Sequence, residues 1–205
     1  MKKLPWFLFA LFAVLVGVYP VIYFIIDRRF GLLGTKSSAL LADVYWNTAF
    51  YFHIVFGGIA LLVGWIQFNS SFRNKYLSLH KTIGKVYIFC VLISAVSGLY
   101  IAFNATGGWI TTLAFVTLDI IWFYSTITSF VAIRKRQITL HQNLMIYSYA
   151  ATFGAVTLRI WLPLLTFLLG GFFKAYPVAA WLAFVPNMLV AYLIVRNRTA
   201  KINSF

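Results

Sequence analysis

Acidic residues are almost absent from this sequence. Its 205 residues include three aspartates and no glutamate, against 17 Lys and Arg, and charged residues make up 10% of the chain. An ordinary soluble domain is about a quarter charged, so the composition excludes a soluble globular protein. A disordered chain is excluded as well, because 62% of the residues are hydrophobic and so much apolar surface does not stay solvated. Catalysis by a pair of carboxylates has no candidate residues.

Cysteine is also scarce. The single Cys90 lies inside an apolar run, so one chain can form neither a disulfide nor a cysteine-based metal site. The sequence has no Gly-x-Ser-x-Gly elbow, no His-Glu-x-x-His, no phosphate-binding Gly-rich loop and no Cys-x-x-Cys-His. Nothing therefore indicates soluble-type hydrolysis or covalently attached haem, and the sequence assigns no enzymatic activity.

Long apolar runs, by contrast, are abundant. A transmembrane helix needs roughly 20 apolar residues to cross a hydrocarbon core of about 30 Å. Six stretches meet this length: about 5–26, 47–68, 82–103, 109–133, 142–168 and 177–195. The first is too long for a signal peptide and lacks a small-residue cleavage pattern, so we interpret it as a retained span. The sequence predicts an all-α integral membrane protein with six transmembrane helices, forming one membrane domain over residues 1–205.

Lys and Arg flank these runs, which is typical of membrane topology and predicts no nucleic-acid partner. The connections on the N-terminal side hold twelve of them: Lys2, Lys3, Arg73, Lys75, Lys81, Lys85, Arg134, Lys135, Arg136, Arg196, Arg198 and Lys201. The opposite connections hold four: Arg28, Arg29, Lys36 and Lys174. The positive-inside rule then puts both termini in the cytoplasm. We expect a multi-pass protein of the cytoplasmic (inner) membrane.

Small residues predict which spans approach closely. They form seams on spans two, three and five: Gly57, Ala60, Gly64, Ser94, Gly98, Ala150, Ala151, Gly154 and Ala155. We expect a four-helix core of spans 2–5, flanked by spans 1 and 6, which we expect Pro20 and Pro186 to kink. His80 and His141 open spans three and five in similar contexts 61 positions apart, which indicates a weak repeat of two helix pairs with parallel topology.

Ionisable residues inside spans indicate function, because they are expensive to keep there. At about 1.5 Å per residue, His53, Asp119 and Arg159 lie roughly 9, 15 and 13 Å below the outer end of their spans. We expect Asp119 and Arg159 to form an ion pair inside the bundle, with His53 within reach. This buried polar site has three readings: a structural clamp, a proton relay, or a site for an anionic ligand in which His53 senses pH.

A second layer contains His80 and His141 at the cytoplasmic mouths of spans three and five. Two imidazoles at one level on core helices suit axial ligation of a b-type haem, and the basic residues Lys81, Lys85 and Arg134 suit its propionates. The alternative is a pair of unligated interfacial histidines. Zinc is less favoured, because a zinc site needs three or four converging ligands.

Many residues on spans two, three and five, and in the connection between spans two and three, match the sequence pattern of a known family. They are Phe52, His53, Gly57, Gly58, Ala60, Leu61, Leu62, Gly64, Gln67, Arg73, Leu79, His80, Lys81, Gly84, Lys85, Tyr87, His141, Gln142, Met145, Leu158 and Arg159. Over most of residues 45–165 the chain resembles the predicted bacterial six-span membrane proteins of domain-of-unknown-function family 2306. That resemblance implies no assigned activity.

In architecture the chain is also similar to transmembrane b-type cytochromes of the ascorbate and ferric-reductase kind. That resemblance implies that His80 and His141 form the haem pair of spans three and five. His53 matches the span-two member of a second pair, but span four offers Asp119 in place of a histidine, so a second haem is not implied.

These observations leave three functional hypotheses. The first is a membrane protein that binds one haem b near the cytoplasmic face, for membrane redox chemistry or haem handling. Its partners would be a redox protein, a quinone or another membrane subunit, within the lipid bilayer. The second is a transporter or accessory membrane subunit that uses the site of His53, Asp119 and Arg159. The third is a structural scaffold without a cofactor.

Overall fold

The structure is a computed structural model that describes residues 3–27 and 29–202, the last two by their backbone alone. Lys2 and Arg28, which entered the orientation count, lie outside the described residues. Within that part of the chain every regular element is helical, with 3₁₀ turns at Tyr19–Val21, Gly31–Thr35 and Trp65–Phe68. The α-helices are α1 Lys3–Val18, α2 Ile22–Ile25, α3 Ser38–Ala42, α4 Val44–Gly64, α5 Ser70–Lys75, α6 Leu77–Ala102, α7 Trp109–Arg134, α8 Ile138–Thr152, α9 Gly154–Leu168, α10 Phe172–Leu182 and α11 Val185–Ile202.

Among the described residues six helical runs are long and apolar enough to cross a membrane, which confirms the predicted number. They are Lys3–Ile25, Val44–Phe68, Leu77–Ala102, Trp109–Arg134, Ile138–Leu168 and Phe172–Ala200. Each begins and ends within about five residues of its predicted bounds, and we call them spans one to six.

Neighbouring spans are antiparallel. Trp6 at the start of span one contacts Trp65 at the end of span two, with ring centroids 5.9 Å apart. Arg198 near the end of span six donates to Gln142 at the start of span five, at 2.5 Å. Both ends of the described chain therefore lie at one end of the bundle, which we call the terminal face; the other end is the distal face. The assignment of the terminal face to the cytoplasm stays a prediction.

Spans two to five form a closed four-helix core, as the small-residue seams predict. α4 packs against α6, α6 against α7, α7 against α8, and α8 against α4, while α1 lies on α4 and span six lies on spans four and five. The approach is closest where side chains are small, since a Cβ at Gly57 would lie 2.9 Å from Oγ of Ser94. Because spans two, three, four and five pack in a closed ring in that order, spans three and five lie diagonally across the core from each other.

Several spans are interrupted. Pro20 lies in the 3₁₀ turn that breaks span one, and span six breaks just before Pro186, as expected from these prolines. The sequence analysis did not predict the break in span five, where Phe153 separates α8 from α9. Beside that break the Thr157 hydroxyl donates to the carbonyl of Ala183 on span six, so the broken parts of the two spans are tied together.

The connection between spans one and two folds over the distal face. Its Lys36 ammonium donates to the carbonyl of Asn104 at 2.5 Å and contacts the Thr106 hydroxyl at 2.9 Å. The Thr35 and Thr106 hydroxyls are 2.8 Å apart. These bonds hold residues 29–43 of this connection, which we call the distal cap, against the connection between spans three and four.

Candidate functional site

The distal half of the bundle encloses a cavity of about 240 Å³. All six spans and the distal cap contribute to its wall, and we call it the distal cavity. Its ionisable lining residues are Tyr23, Lys36, His53, Asp119, Arg159 and Tyr176. The structure thus places the three residues of the predicted buried polar site in the wall of one cavity.

His53 is held to span three by a reciprocal pair of hydrogen bonds. Its Nδ1–H donates to the carbonyl of Ser94 at 2.9 Å, and the Ser94 hydroxyl donates to the carbonyl of His53 at 2.8 Å. A carbonyl only accepts, so the proton of the neutral ring sits on Nδ1. Nε2 then carries the lone pair that can accept a hydrogen bond or bind a metal.

Asp119 reaches from α7 into the same part of the cavity. It is 6% exposed, and no hydrogen bond or ion pair joins its carboxylate to another described residue. A Cβ at Gly98 would lie 2.7 Å from Oδ2 of Asp119 and 2.6 Å from Nδ1 of His53. Those two atoms are therefore at most about 5.3 Å apart, and the gap beside Gly98 leaves room for both side chains.

Asp27 and Asp43, the other two aspartates, have local structural roles. The Asp43 carboxylate caps α4 by accepting from the backbone N–H groups of Tyr45 and Trp46, and Asp27 accepts from the N–H of Arg29. Asp119 is the carboxylate to which the described structure gives no such role.

The predicted ion pair between Asp119 and Arg159 is wrong. Instead, Nη1 of Arg159 donates to the carbonyl of Ala155 at 2.8 Å, and its guanidinium lies 4.4 Å from the centre of the Tyr19 ring on span one. Helix rise fixes the depth of a residue but not its direction around the axis. At similar depth Arg159 faces span one, whereas Asp119 faces Gly98 on span three.

Lys36 is a cavity residue that the sequence analysis missed. In the sequence Lys36 is one of the basic residues that indicate membrane orientation, and nothing there indicates that the distal cap folds inward. Burial lowers the pKa of its ammonium from 10.5 to about 8. Tyr23 and Tyr176 could not be recognised as cavity residues either, because an aromatic residue in a span gives no sign of whether it faces lipid or a cavity.

The predicted haem ligands lie away from this cavity, near the terminal face. Nδ1 of His141 donates to the carbonyl of Ser129 at 3.1 Å, and the Ser129 hydroxyl donates to the carbonyl of His141 at 3.1 Å. This repeats the bonding of His53 and Ser94 and again leaves Nε2 with the lone pair. Nδ1 of His80 is buried, and no described residue forms a hydrogen bond with it.

His80 lies near enough to Arg73 and His141 for each of them to influence its charge. Lys81, Lys85 and Arg134, predicted to hold propionates, are exposed. Among the described residues no three His, Cys or acidic side chains converge as a metal site would require.

A cluster of bonded polar side chains separates the two histidine layers. We call Tyr87, Trp122, Thr126, Ser148 and Thr152 the hydroxyl cluster. The Tyr87 hydroxyl lies 2.8 Å from those of Ser148 and Thr152, Trp122 donates to Thr152 at 2.9 Å, and Thr126 lies 2.6 Å from Ser148. All five side chains are buried.

Tyr87 and Ser148 are 61 positions apart, the same separation as His80 and His141. At the level of Tyr87 and Ser148, residues in equivalent positions of the weak repeat are therefore in contact across the core. Six antiparallel spans, a closed four-helix core and an interior cavity with several ionisable lining residues define an all-helical polytopic membrane protein.

The chain belongs to the family of predicted membrane proteins DUF2306, whose profile matches residues 50–195. This confirms the family resemblance, and the matched range includes every site residue predicted from the sequence. No curated protein and no solved structure matches the chain. The likeness to b-type cytochromes gains no support from these comparisons.

Proposed function

We propose that this protein binds a small organic anion in the distal cavity and acts as a transporter or accessory subunit in the membrane. The observation that carries this proposal is Arg159, a cavity-lining guanidinium at membrane depth with no carboxylate partner among the described residues. A charged residue at such depth costs about 2.5–3.5 kcal/mol on insertion scales. A bound anion would offset part of that cost.

The charges around the cavity favour an anion over a cation. Arg159 and Lys36 supply two positive groups, against the one carboxylate of Asp119. Planar carboxylates suit a guanidinium because they accept two parallel hydrogen bonds, and the carbonyl of Ala155 engages only Nη1 of Arg159.

The size of the cavity supports a small ligand. Its volume of about 240 Å³ is less than the roughly 300–1,000 Å³ of pockets for drug-sized molecules. It exceeds the cavity of about 150 Å³ that binds benzene. An aromatic or short aliphatic monocarboxylate fits this range.

His53 and Asp119 add proton chemistry to the same space. Nε2 of His53 can accept a proton from a weak acid or from water, while its Nδ1–H stays bonded to Ser94. Asp119, within about 5.3 Å of that ring, can exchange a proton in turn. This arrangement suits the binding or release of an anion together with a proton.

Benzoate and its neutral isostere benzamide provide the test. In detergent-purified protein, benzoate at about 100 times its Kd adds about 2.7 kcal/mol to stability, so we expect the Tm to rise by about 5–10 °C. Benzamide should raise it far less. Arg159→Gln should abolish the preference for benzoate, whereas Lys174→Gln, at the distal start of α10, should keep it. Equal shifts with both compounds, or a preference that survives in Arg159→Gln, contradict the proposal.

The terminal half supports a second candidate function, binding of one haem b between His80 and His141. The supporting observation is the buried Nδ1 of His80, to which no described residue is hydrogen-bonded, together with the His141 ring, whose Nε2 lone pair is free for a metal. Spans three and five are diagonal in the core, so a group held by both would lie inside it. Haem would supply one-electron transfer, while the chain orients it and excludes water.

An absorption spectrum after haem addition tests this candidate. We expect a Soret band that shifts on reduction and is lost in His80→Ala and in His141→Ala. His53→Ala, a histidine removed from the other layer, should leave the band unchanged. A protein that gives no such band after haem addition would rule out this candidate and leave the anion proposal standing.

A further inference from the structure

Arg159 belongs to two concave surfaces at once. It lines the distal cavity, and it also lines a groove on the outside of the bundle between spans one and five. The other residues of this groove are Tyr19, Leu162, Pro163, Thr166 and Phe167. We call it the lateral groove, and the Arg159 side chain stands where it meets the cavity.

The lateral groove is apolar and lies on the membrane-facing surface. Phe167 at its distal end is 85% exposed, and Thr166 and the Tyr19 hydroxyl are its polar groups besides Arg159. Arg159 is itself exposed, at about 13 Å from the distal end of span five. A guanidinium at that depth is costly unless an anion or water covers the N–H groups that the protein leaves unbonded.

The distal cap lies at the aqueous end of the cavity and contributes Leu32 and Lys36 to its wall. Lys36 and Thr35 are bonded to the connection between spans three and four, so a ligand that arrives from water meets this bonded segment. A ligand that arrives from the bilayer meets Arg159 in the wall of the lateral groove itself.

We infer that the natural ligand is a single-chain anionic amphiphile, a long-chain carboxylate, that enters sideways from the bilayer between spans one and five. This inference rests on the proposed anion site and names the ligand class. The carboxylate head binds Arg159 at the junction, and the alkyl chain lies in the lateral groove against Leu162, Pro163 and Phe167. Charge complementarity selects the head, and the apolar surface accepts the chain.

Spin-labelled lipids in reconstituted bilayers test the inference. Stearate with a nitroxide near its methyl end is compared with the matching methyl ester in zwitterionic bilayers, in alkaline buffer where the acid is ionised. Electron paramagnetic resonance measures the fraction of each probe that the protein immobilises. We expect stearate to associate at least about fivefold more strongly than the ester.

Four variants identify the residues on which the preference for stearate over its ester depends. Arg159→Gln should remove the preference for stearate, Arg159→Lys should keep most of it, and Lys174→Gln should not change it. Thr166→Trp, which fills the groove without altering charge, should lower the association of stearate. No preference in the wild type, or one that persists in Arg159→Gln, overturns the inference.

The two proposals fail differently. If benzoate stabilises the protein through Arg159 but labelled stearate shows no preference, the cavity binds a water-borne anion and only the lateral entry is wrong. If the binding of neither benzoate nor stearate depends on Arg159, the guanidinium is a structural group that reaches toward the interface, and both proposals are wrong.

Discussion

The hydroxyl cluster and the distal cavity are adjacent regions of one bundle that both contain polar side chains. They differ in how far those side chains are bonded to one another. In the cluster, Tyr87, Ser148 and Thr152 are buried and bonded to one another at 2.8 Å. In the cavity, Asp119 has no described partner, and Arg159 donates to one carbonyl and lies against the Tyr19 ring. The two regions even share residues, since Trp122 and Thr152 line the cavity as well.

That difference separates structural from functional polarity in a membrane interior. Bonded polar groups hold helices together, at an average of about 0.6 kcal/mol per interaction in measured cases. Ionisable groups without a partner of opposite charge, beside an open volume, cost free energy, and a scaffold alone does not require them. The cluster therefore explains how spans three, four and five stay in register, and the cavity is where a ligand is expected.

The largest expected effect comes from filling the gap between His53 and Asp119. In Gly98→Ala the new Cβ would lie within 2.7 Å of both side chains, so we expect benzoate affinity to fall at least tenfold and stability to fall by about 1–3 kcal/mol. Gly84→Ala on the same helix is the control, because its nearest neighbour is 3.7 Å away. Titration and thermal unfolding of both variants measure this, and similar behaviour of the two would contradict the account.

A substitution in the hydroxyl cluster should change the stability of the protein rather than its affinity for benzoate. Tyr87→Phe removes one hydroxyl and leaves Ser148 and Thr152 without that partner, which should cost about 1–3 kcal/mol. Thermal unfolding by circular dichroism measures this loss, and benzoate affinity, corrected for the unfolded fraction, should stay within about twofold. A loss of affinity without a loss of stability would place Tyr87 in the binding site instead.

Lys36 should give the anion site a pH dependence. Because its pKa is about 8 rather than 10.5, it loses its charge as the pH rises through 8. We expect benzoate affinity to fall several-fold, that is by about 1 kcal/mol or less, between neutral pH and moderately alkaline pH. Lys36→Gln should bind benzoate more weakly at neutral pH and lack this decline.

The same pKa gives a stability effect of opposite sign. Between pH 8 and 10.5 the unfolded chain binds more protons at Lys36 than the folded protein does, so the free energy of unfolding should rise with pH in that window. Denaturant unfolding at several pH values measures the slope, and Lys36→Gln should reduce it. An identical slope in both proteins would show that burial of Lys36 does not perturb its pKa.

The smallest expected effect is that of Asp119→Asn on stability. With no described partner to lose, we expect a change within about 0.5 kcal/mol, in contrast to Tyr87→Phe. Any effect should appear instead in the pH dependence of benzoate binding. A loss of stability larger than that of Tyr87→Phe would assign Asp119 a structural role.

The fold was largely predictable from the sequence, because membrane spans are encoded by long apolar runs and their packing by small residues such as Gly57 and Ser94. The depth of His53, Asp119 and Arg159 was predictable for the same reason. The direction in which Arg159 points was not, since it depends on rotation about the helix axis beyond the break at Phe153. Nor was the inward position of Lys36, which depends on how a connection folds over the bundle.

The central claim, an anion in the distal cavity, is tested most directly with 4-bromobenzoate. In crystals grown with this compound, anomalous diffraction at the bromine edge locates the ligand without reference to the protein density. The account predicts a bromine inside the bundle, with the carboxylate directed at the guanidinium of Arg159. A bromine found only on the outer surface or at the terminal face, or none in the distal cavity at a saturating concentration, would contradict it.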